Sequence, residues 1–212
     1  MYKTLAGALT LSALLAVPTA SHALIYTFNA SLSGAKEVPV GSGATATGTA
    51  ILDYDDKGTL SLADDTYNFS MSAFGLTGGS VSGTAASAFH IHGAATTAEN
   101  GPVRVALDAA PFAAFNSGST LLVGGNNVVA PVTLFVTPAS VTNIGYPAMS
   151  FLAMLRANLT YVNVHTALNP GGAIRGQLIE VSVVPEPATY ALWLAGLGVV
   201  GLMWRRRSAH SV

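Results

Sequence analysis

Apolar and polar residues alternate in short runs through the middle of the chain. Ile25 to Ala30, Thr45 to Leu52 and Tyr67 to Ser72 each place every second side chain on an apolar face. A period of two buries one face of a β-strand. Turn-forming clusters separate the runs: Gly41-Ser42-Gly43, Asp53-Tyr54-Asp55-Asp56-Lys57-Gly58 and Thr77-Gly78-Gly79. Further strands are expected at Ala88–His92, Val103–Leu107, Thr120–Val123, Val132–Val136, Leu159–His165 and Ile174–Val181. Only 147–157 departs from this rhythm, with Pro147 at a first turn and Met149, Leu152, Met154 and Leu155 on one helical face. The pattern predicts an all-β Greek-key sandwich or barrel with one short helix.

The two ends follow different rules. Met1 to Thr4 is a short cationic start, Leu5 to Val17 is apolar, and Ser21-His22-Ala23 offers a small-x-small cleavage site. That order predicts a secretory signal peptide, residues 1–23, removed after Ala23 by the general export machinery. At the other end Pro185-Glu186-Pro187 precedes an uncharged stretch, 188–204, and then Arg205-Arg206-Arg207. Prolines make an exposed, protease-accessible link. The apolar stretch lies at the lower limit for a transmembrane helix, and the arginines would hold its far end in the cytoplasm.

Residues 24–184 remain as one domain. Five Lys/Arg face nine Asp/Glu there, a net charge of −4, so there is no basic patch for nucleic acid. The chain has no cysteine, which excludes disulfides and thiolate metal sites. No nucleophile elbow, phosphate loop or HExxH occurs, leaving hydrolase and kinase chemistry without support. Asp53, Asp55 and Asp56 before Gly58 faintly match a calcium loop, but Asp64 stands where its last Glu belongs, and a hairpin turn explains them better.

The domain's chemistry therefore centres on three histidines. His90 and His92 lie two apart in one expected strand and so share a face; in the second, Tyr161, Asn163 and His165 share a face opposite Val162 and Val164. If the two faces meet, three imidazoles could hold one metal ion, copper and zinc both suiting such donors. Alternatively the histidines are hydrogen-bonded parts of the framework.

Several segments carry a family resemblance. Ser31 to Pro39, Phe89-His90-Ile91-His92-Gly93, Tyr161 to Thr166 and Asn169-Pro170-Gly171-Gly172-Ala173-Ile174-Arg175-Gly176-Gln177 together resemble the chordin-type (CHRD) domain. Ala173 stands where members of that family usually carry Glu, and Ala94 where Pro often follows the Gly. The resemblance implies an immunoglobulin-like or superoxide-dismutase-like sandwich acting as a non-catalytic binding or matrix module, with no ligand carried over; an exopolysaccharide or surface-protein partner is suggested only by the C-terminal tail. More distantly, Gly75-Leu76-Thr77-Gly78 with Phe89 to His92, and Val162 to His165, resemble copper-binding strands of copper/zinc superoxide dismutases. That likeness implies copper on His90, His92 and His165 with dismutase-like redox activity. It also makes Arg175 an anion guide, although an interstrand partner is the plainer role. The bridging and zinc-binding histidines of those enzymes have no counterpart here.

The last 25 or so residues resemble a PEP-CTERM sorting signal. This implies an exosortase partner acting near Pro185-Glu186-Pro187, an inner-membrane intermediate, and delivery to the cell surface or extracellular matrix of a Gram-negative bacterium. A permanent single-span anchor is the alternative for this tail.

Overall fold

The computed structural model describes residues 23–77, 88–130, 145–181 and 187–208. The signal peptide, the strand expected at 132–136, most of the turn at 77–79 and Pro185 and Glu186 lie outside the described residues.

Among the described residues ten strands form one curled antiparallel sheet. They are β1 (Ile25–Ser33), β2 (Thr47–Asp55), β3 (Thr66–Phe74), β4 (Phe89–His92), β5 (Val103–Ala106), β6 (Ala113–Ser117), β7 (Thr120–Val129), β8 (Tyr161–Val164), β9 (Ile174–Gln177) and β10 (Ile179–Glu180). Across the sheet the order is β5-β4-β8-β9-β1-β2-β3-β7-β6, with β10 also pairing β1. The expected all-β architecture with one short helix is what folds.

Each alternating run puts its apolar set on the buried side. In β1 to β3 these are Phe28, Ala30 and Leu32, then Ala50, Leu52 and Tyr54, then Tyr67, Phe69 and Met71, all buried. The Asp53 to Gly58 turn braces the β2–β3 hairpin end. Asp53 accepts from Thr27 Oγ1, Asp55 pairs with Lys57 at 2.6 Å, and Asp56 accepts from the amides of Leu24 and Gly58. Its carboxylates thus serve the chain's own donors, as expected of a turn.

Helix α1 (Phe151–Arg156) is shorter than the 147–157 expected. Pro147 lies ahead of it, and Ser150 is the N-cap, its side chain accepting from the Ala153 amide at 3.1 Å. The fully buried face is Phe151, Met154 and Leu155, with Met149 and Leu152 only partly buried. Phe151 packs its ring against both Tyr67 and Tyr54, with centroids 5.4 and 6.3 Å away, and so plugs the core between β2 and β3.

Helix α2 (Pro187–Ser208) runs through the apolar tail, with Leu192 to Leu194, Leu197, Val199, Val200 and Trp204 exposed. Its uncharged part covers about 25 Å at about 1.5 Å per residue, less than the roughly 30 Å of bilayer hydrocarbon. Among the described residues no helix is long and apolar enough to cross a membrane. The expected C-terminal helix is present, and its described residues alone do not reach the length of a span.

The plug gives a direct test. Phe151→Ala removes a fully buried ring and should lower unfolding free energy by about 3–5 kcal/mol, read from urea midpoints. A loss below about 1 kcal/mol would mean that α1 is not part of the core.

Candidate metal centre

Strands β4 and β8 are buried on both faces. Phe89, Ile91, Val162, Val164 and Ile174 point into the core. The register then sets the opposite face: His90 lies across from Asn163 and His92 from Tyr161, while on the far side Asn163 faces Arg175 and Tyr161 faces Gln177. His165 follows β8 and extends its ladder, its amide donating to the Ala88 carbonyl at 2.8 Å. It becomes the diagonal neighbour of His90. One side of this sheet region is thus a sealed polar layer.

The three imidazoles converge. His90, His92 and His165 each offer a nitrogen, and these atoms all lie within 4.8 Å of one another. Ring centroids are 4.9 Å apart for His90–His165, 5.1 Å for His90–His92 and 6.4 Å for His92–His165. Two nitrogens bound to one zinc can be no more than about 4.2 Å apart, twice a 2.1 Å bond. Three nitrogens around one ion at that bond length lie roughly 3.4–3.6 Å apart, so closing the cluster needs the most separated pair to approach by about 1 Å, shared between two rings.

Tautomers follow from the partners. A carbonyl only accepts, so His92 donates Nδ1–H to the Gly101 carbonyl (2.9 Å) and His165 donates Nδ1–H to that of Pro170 (3.0 Å). Both therefore carry a lone pair on Nε2. His165 Nε2 is buried with no hydrogen-bond partner, and His92 Nε2 accepts from His90 Nδ1 at 3.2 Å. Burial pushes the His92 pKa down to about 3, its Gly101 hydrogen bond notwithstanding, and lowers that of His165 as well. Both are neutral at physiological pH, the form that binds a metal.

The segment after β4 folds over this layer. Arg175 is 1% exposed, with its guanidinium 3.4 Å from the Tyr161 ring centroid. It donates to the Asn100 side chain (3.1 Å) and to the Thr96 carbonyl (2.9 Å). Tyr161 in turn stacks on His92, with centroids 4.7 Å apart and planes 5° from parallel. The Gly101 amide donates to the Tyr161 hydroxyl, and Gln177 donates to the Ala95 carbonyl. Arg175 is thus an internal clamp, bonded to the covering segment.

Glu37 seals the other side. Its carboxyl accepts from Asn163 Nδ2 at 3.4 Å, a partner 126 residues away, and its Oε1 is buried without a partner. Burial raises its pKa to about 7 against the lowering effects of Arg175 and Asn163. Gly172 makes room for it. Its φ of +137° is a glycine conformation, and a Cβ there would lie 2.5 Å from Glu37 Oε2. Ala173 is buried beside it, so the carboxylate at this turn comes from Glu37. Next to Glu37 opens a groove of about 670 Å³, lined among others by Asn29, Ser31, Lys36, Arg175 and Gln177.

Sequence reasoning named the three histidines and Arg175, and placed Tyr161 and Asn163 on the same face as His165. It missed Glu37, Thr96, Asn100 and Gly101, whose roles depend on contacts between distant segments. The model of the CHRD domain matches residues 28–178, most of the chain. The chain belongs to the CHRD domain family. The PEP-CTERM protein-sorting motif matches residues 183–207. Together they make this CHRD protein an exported one, held as a membrane-anchored intermediate, processed by an exosortase and sorted to the cell surface of a Gram-negative bacterium. No curated protein and no solved structure matches the chain. The superoxide dismutase likeness of this CHRD domain therefore rests on the quoted strands alone.

The two buried titrating groups give opposite pH slopes in the metal-free domain. His92 has a folded pKa below its unfolded value of 6.5, so its contribution is full above 6.5 and declines as pH falls toward 3. Glu37 has a folded pKa above its unfolded value of 4.5, so its contribution is full below 4.5 and is lost as pH rises through 7. Glu37→Gln should therefore gain on the wild type as pH rises from 4.5 to 8, by up to about 3 kcal/mol at roughly 1.4 kcal/mol per pKa unit. Parallel pH–stability curves for the two proteins would show that the Glu37 carboxyl ionises freely in the fold.

Proposed function

We propose that this exported CHRD domain is a metal-binding module that holds one copper or zinc ion through His90, His92 and His165. One observation carries the reading: three imidazoles from two strands converge, His90 and His92 buried and His165 partly exposed, two of them fixed by backbone carbonyls as tautomers that leave the lone pair on Nε2. Outer hydrogen bonds of this kind orient metal-ligating histidines. The partnerless Nε2 of His165 fits the same reading, because a buried acceptor without a donor is costly in a domain that binds nothing there. The ion would supply Lewis acidity or electron transfer. The chain's residues hold it, orient the imidazoles and keep water from two of them.

A second reading is the non-catalytic binding module, in which the surface-sorted domain attaches to a polysaccharide or to another surface protein. The groove beside Glu37 favours it, since a buried carboxyl oxygen without a partner lines a cavity large enough for a small polar ligand.

The metal reading makes a stoichiometric prediction. The metal-free chain should take up one equivalent of copper or zinc by calorimetry, and His90→Ala or His165→Ala should weaken uptake at least about 100-fold, since even outer-shell changes cost 10–100-fold. Wild-type affinity in both variants would refute the site. A superoxide assay on the loaded protein then separates binding from dismutase-like catalysis.

A further inference from the structure

The start of the domain makes a contact whose chemistry changes once a leader is removed. Strand β1 opens at Ile25, just after the expected cleavage point behind Ala23. A single residue of the Asp53 to Gly58 turn holds Leu24 by both groups of its backbone. The Leu24 amide donates to Asp56 Oδ1 at 2.8 Å, and the Leu24 carbonyl accepts from the Asp56 amide at 3.2 Å. The Gly58 amide donates to the same Oδ1 at 2.9 Å, which fixes that oxygen beside Leu24. Ala23 lies exposed ahead of this bracket. The turn therefore grips the chain at the first residue that cleavage would leave.

In the intact chain this carboxylate meets a neutral amide. Hydrolysis of the Ala23–Leu24 peptide bond by water leaves a carboxylate on Ala23, which departs with the leader, and an α-amine on Leu24, which is mostly protonated at neutral pH. Its nitrogen already stands 2.8 Å from Asp56 Oδ1, inside the range of about 2.7–2.9 Å for a charge-assisted N–H···O contact. The other charges around it have partners of their own. Asp55 faces Ile25 across the ladder and pairs with Lys57. The Tyr26 phenol is held above its ordinary pKa by burial and by Asp56, while Arg156 sits over the Tyr26 ring and pairs with Glu180 at 3.5 Å. We propose that Asp56 is the seat of the processed amino terminus, binding the Leu24 α-ammonium in an ion pair that the precursor cannot form. The proposal rests on the expected cleavage after Ala23. Removal of the leader then clamps the first strand of a domain that has no disulfide to hold it. The same end of the sheet releases the chain, since β10 runs antiparallel to β1 and the Val181 amide bonds the Thr27 carbonyl.

The test uses the chain exported from a Gram-negative host with its own leader. N-terminal sequencing should find Leu24 first, and competitive acetylation across a pH series, read by mass spectrometry, gives the pKa of its α-amine. That value should lie about half a unit above the usual 7.7–8.0, the size of effect an exposed ion pair gives, and the excess should shrink in concentrated salt. In Asp56→Asn, which keeps an acceptor for the Gly58 amide, it should return to the usual range. If that variant does not fold, a chain prepared to begin at Ala23 provides the same comparison by moving the charge one residue away. A raised α-amine pKa stabilises the fold fully below its unfolded value and loses that contribution as pH rises through the folded one. The form beginning at Leu24 should therefore melt above the form beginning at Ala23 at about pH 7 and level with it by about pH 10. Equal α-amine pKa values in the wild type and Asp56→Asn would overturn the ion pair and leave the cleavage site standing. A first residue other than Leu24 would overturn the cleavage expectation and the proposal with it.

Discussion

The structure depends on burying one guanidinium. Arg175 is among the largest fully enclosed side chains, and a buried cation is tolerated only when its donors are met and its charge is spread. Here the charge lies against the Tyr161 face, and two donors are answered by Thr96 and Asn100. Those partners come from the segment that follows β4, so satisfying Arg175 brings that segment down over the sheet. With it comes Gly101, whose peptide holds both the Tyr161 hydroxyl and the His92 ring. The lid over the histidines and the orientation of one of them are thus consequences of the same ion.

The cover also determines the histidines' chemistry. Under it His92 loses water, and partial burial beside the Pro170 turn does the same to His165, which makes the charged imidazolium unfavourable and leaves neutral rings. A polar layer with so few free donors would be expensive to bury if its acceptors stayed unmet. Carbonyls of the covering segment and of the turn before β9 take the ring N–H donors, and the Gly101 amide meets the Tyr161 hydroxyl. Several acceptors stay without a partner, among them Asn163 Oδ1, Gln177 Oε1, His165 Nε2 and Glu37 Oε1. His165 Nε2 stands at the cluster and Glu37 beside the groove, which is where a bound group would meet them.

Alternation made much of this legible in advance. The period-two runs located β1, β2 and β3, and the same arithmetic put His90 with His92 and Tyr161 with Asn163 and His165. Strand β6 was not visible, because Ala113 to Ser117 is exposed throughout and does not alternate; it is an edge strand that exists by pairing with β7. The helix was overextended at its start, since Pro147 resembles a first-turn residue although Ser150 supplies the cap. Glu37 could be read as part of a motif but not as a buried acid, because its surroundings come from Asn163 and Gly172 at the other end of the domain. Local patterns report which face a residue takes. They do not report what covers that face.

The sorting signal and the histidine cluster impose compatible demands on folding. A protein moved to the surface without cysteines must hold its shape by packing alone, with no disulfide to restrict the unfolded chain. A thiolate metal site would add a difficulty, because its unpaired anions repel until the ion arrives. Neutral imidazoles do not. His90 and His92 are already hydrogen-bonded to one another, and His92 and His165 are pinned to carbonyls, so the ligands can be assembled without an ion to neutralise them. On the proposed metal reading, a cluster of this kind would allow folding and export first and metal loading afterwards, in the compartment where the processed protein resides.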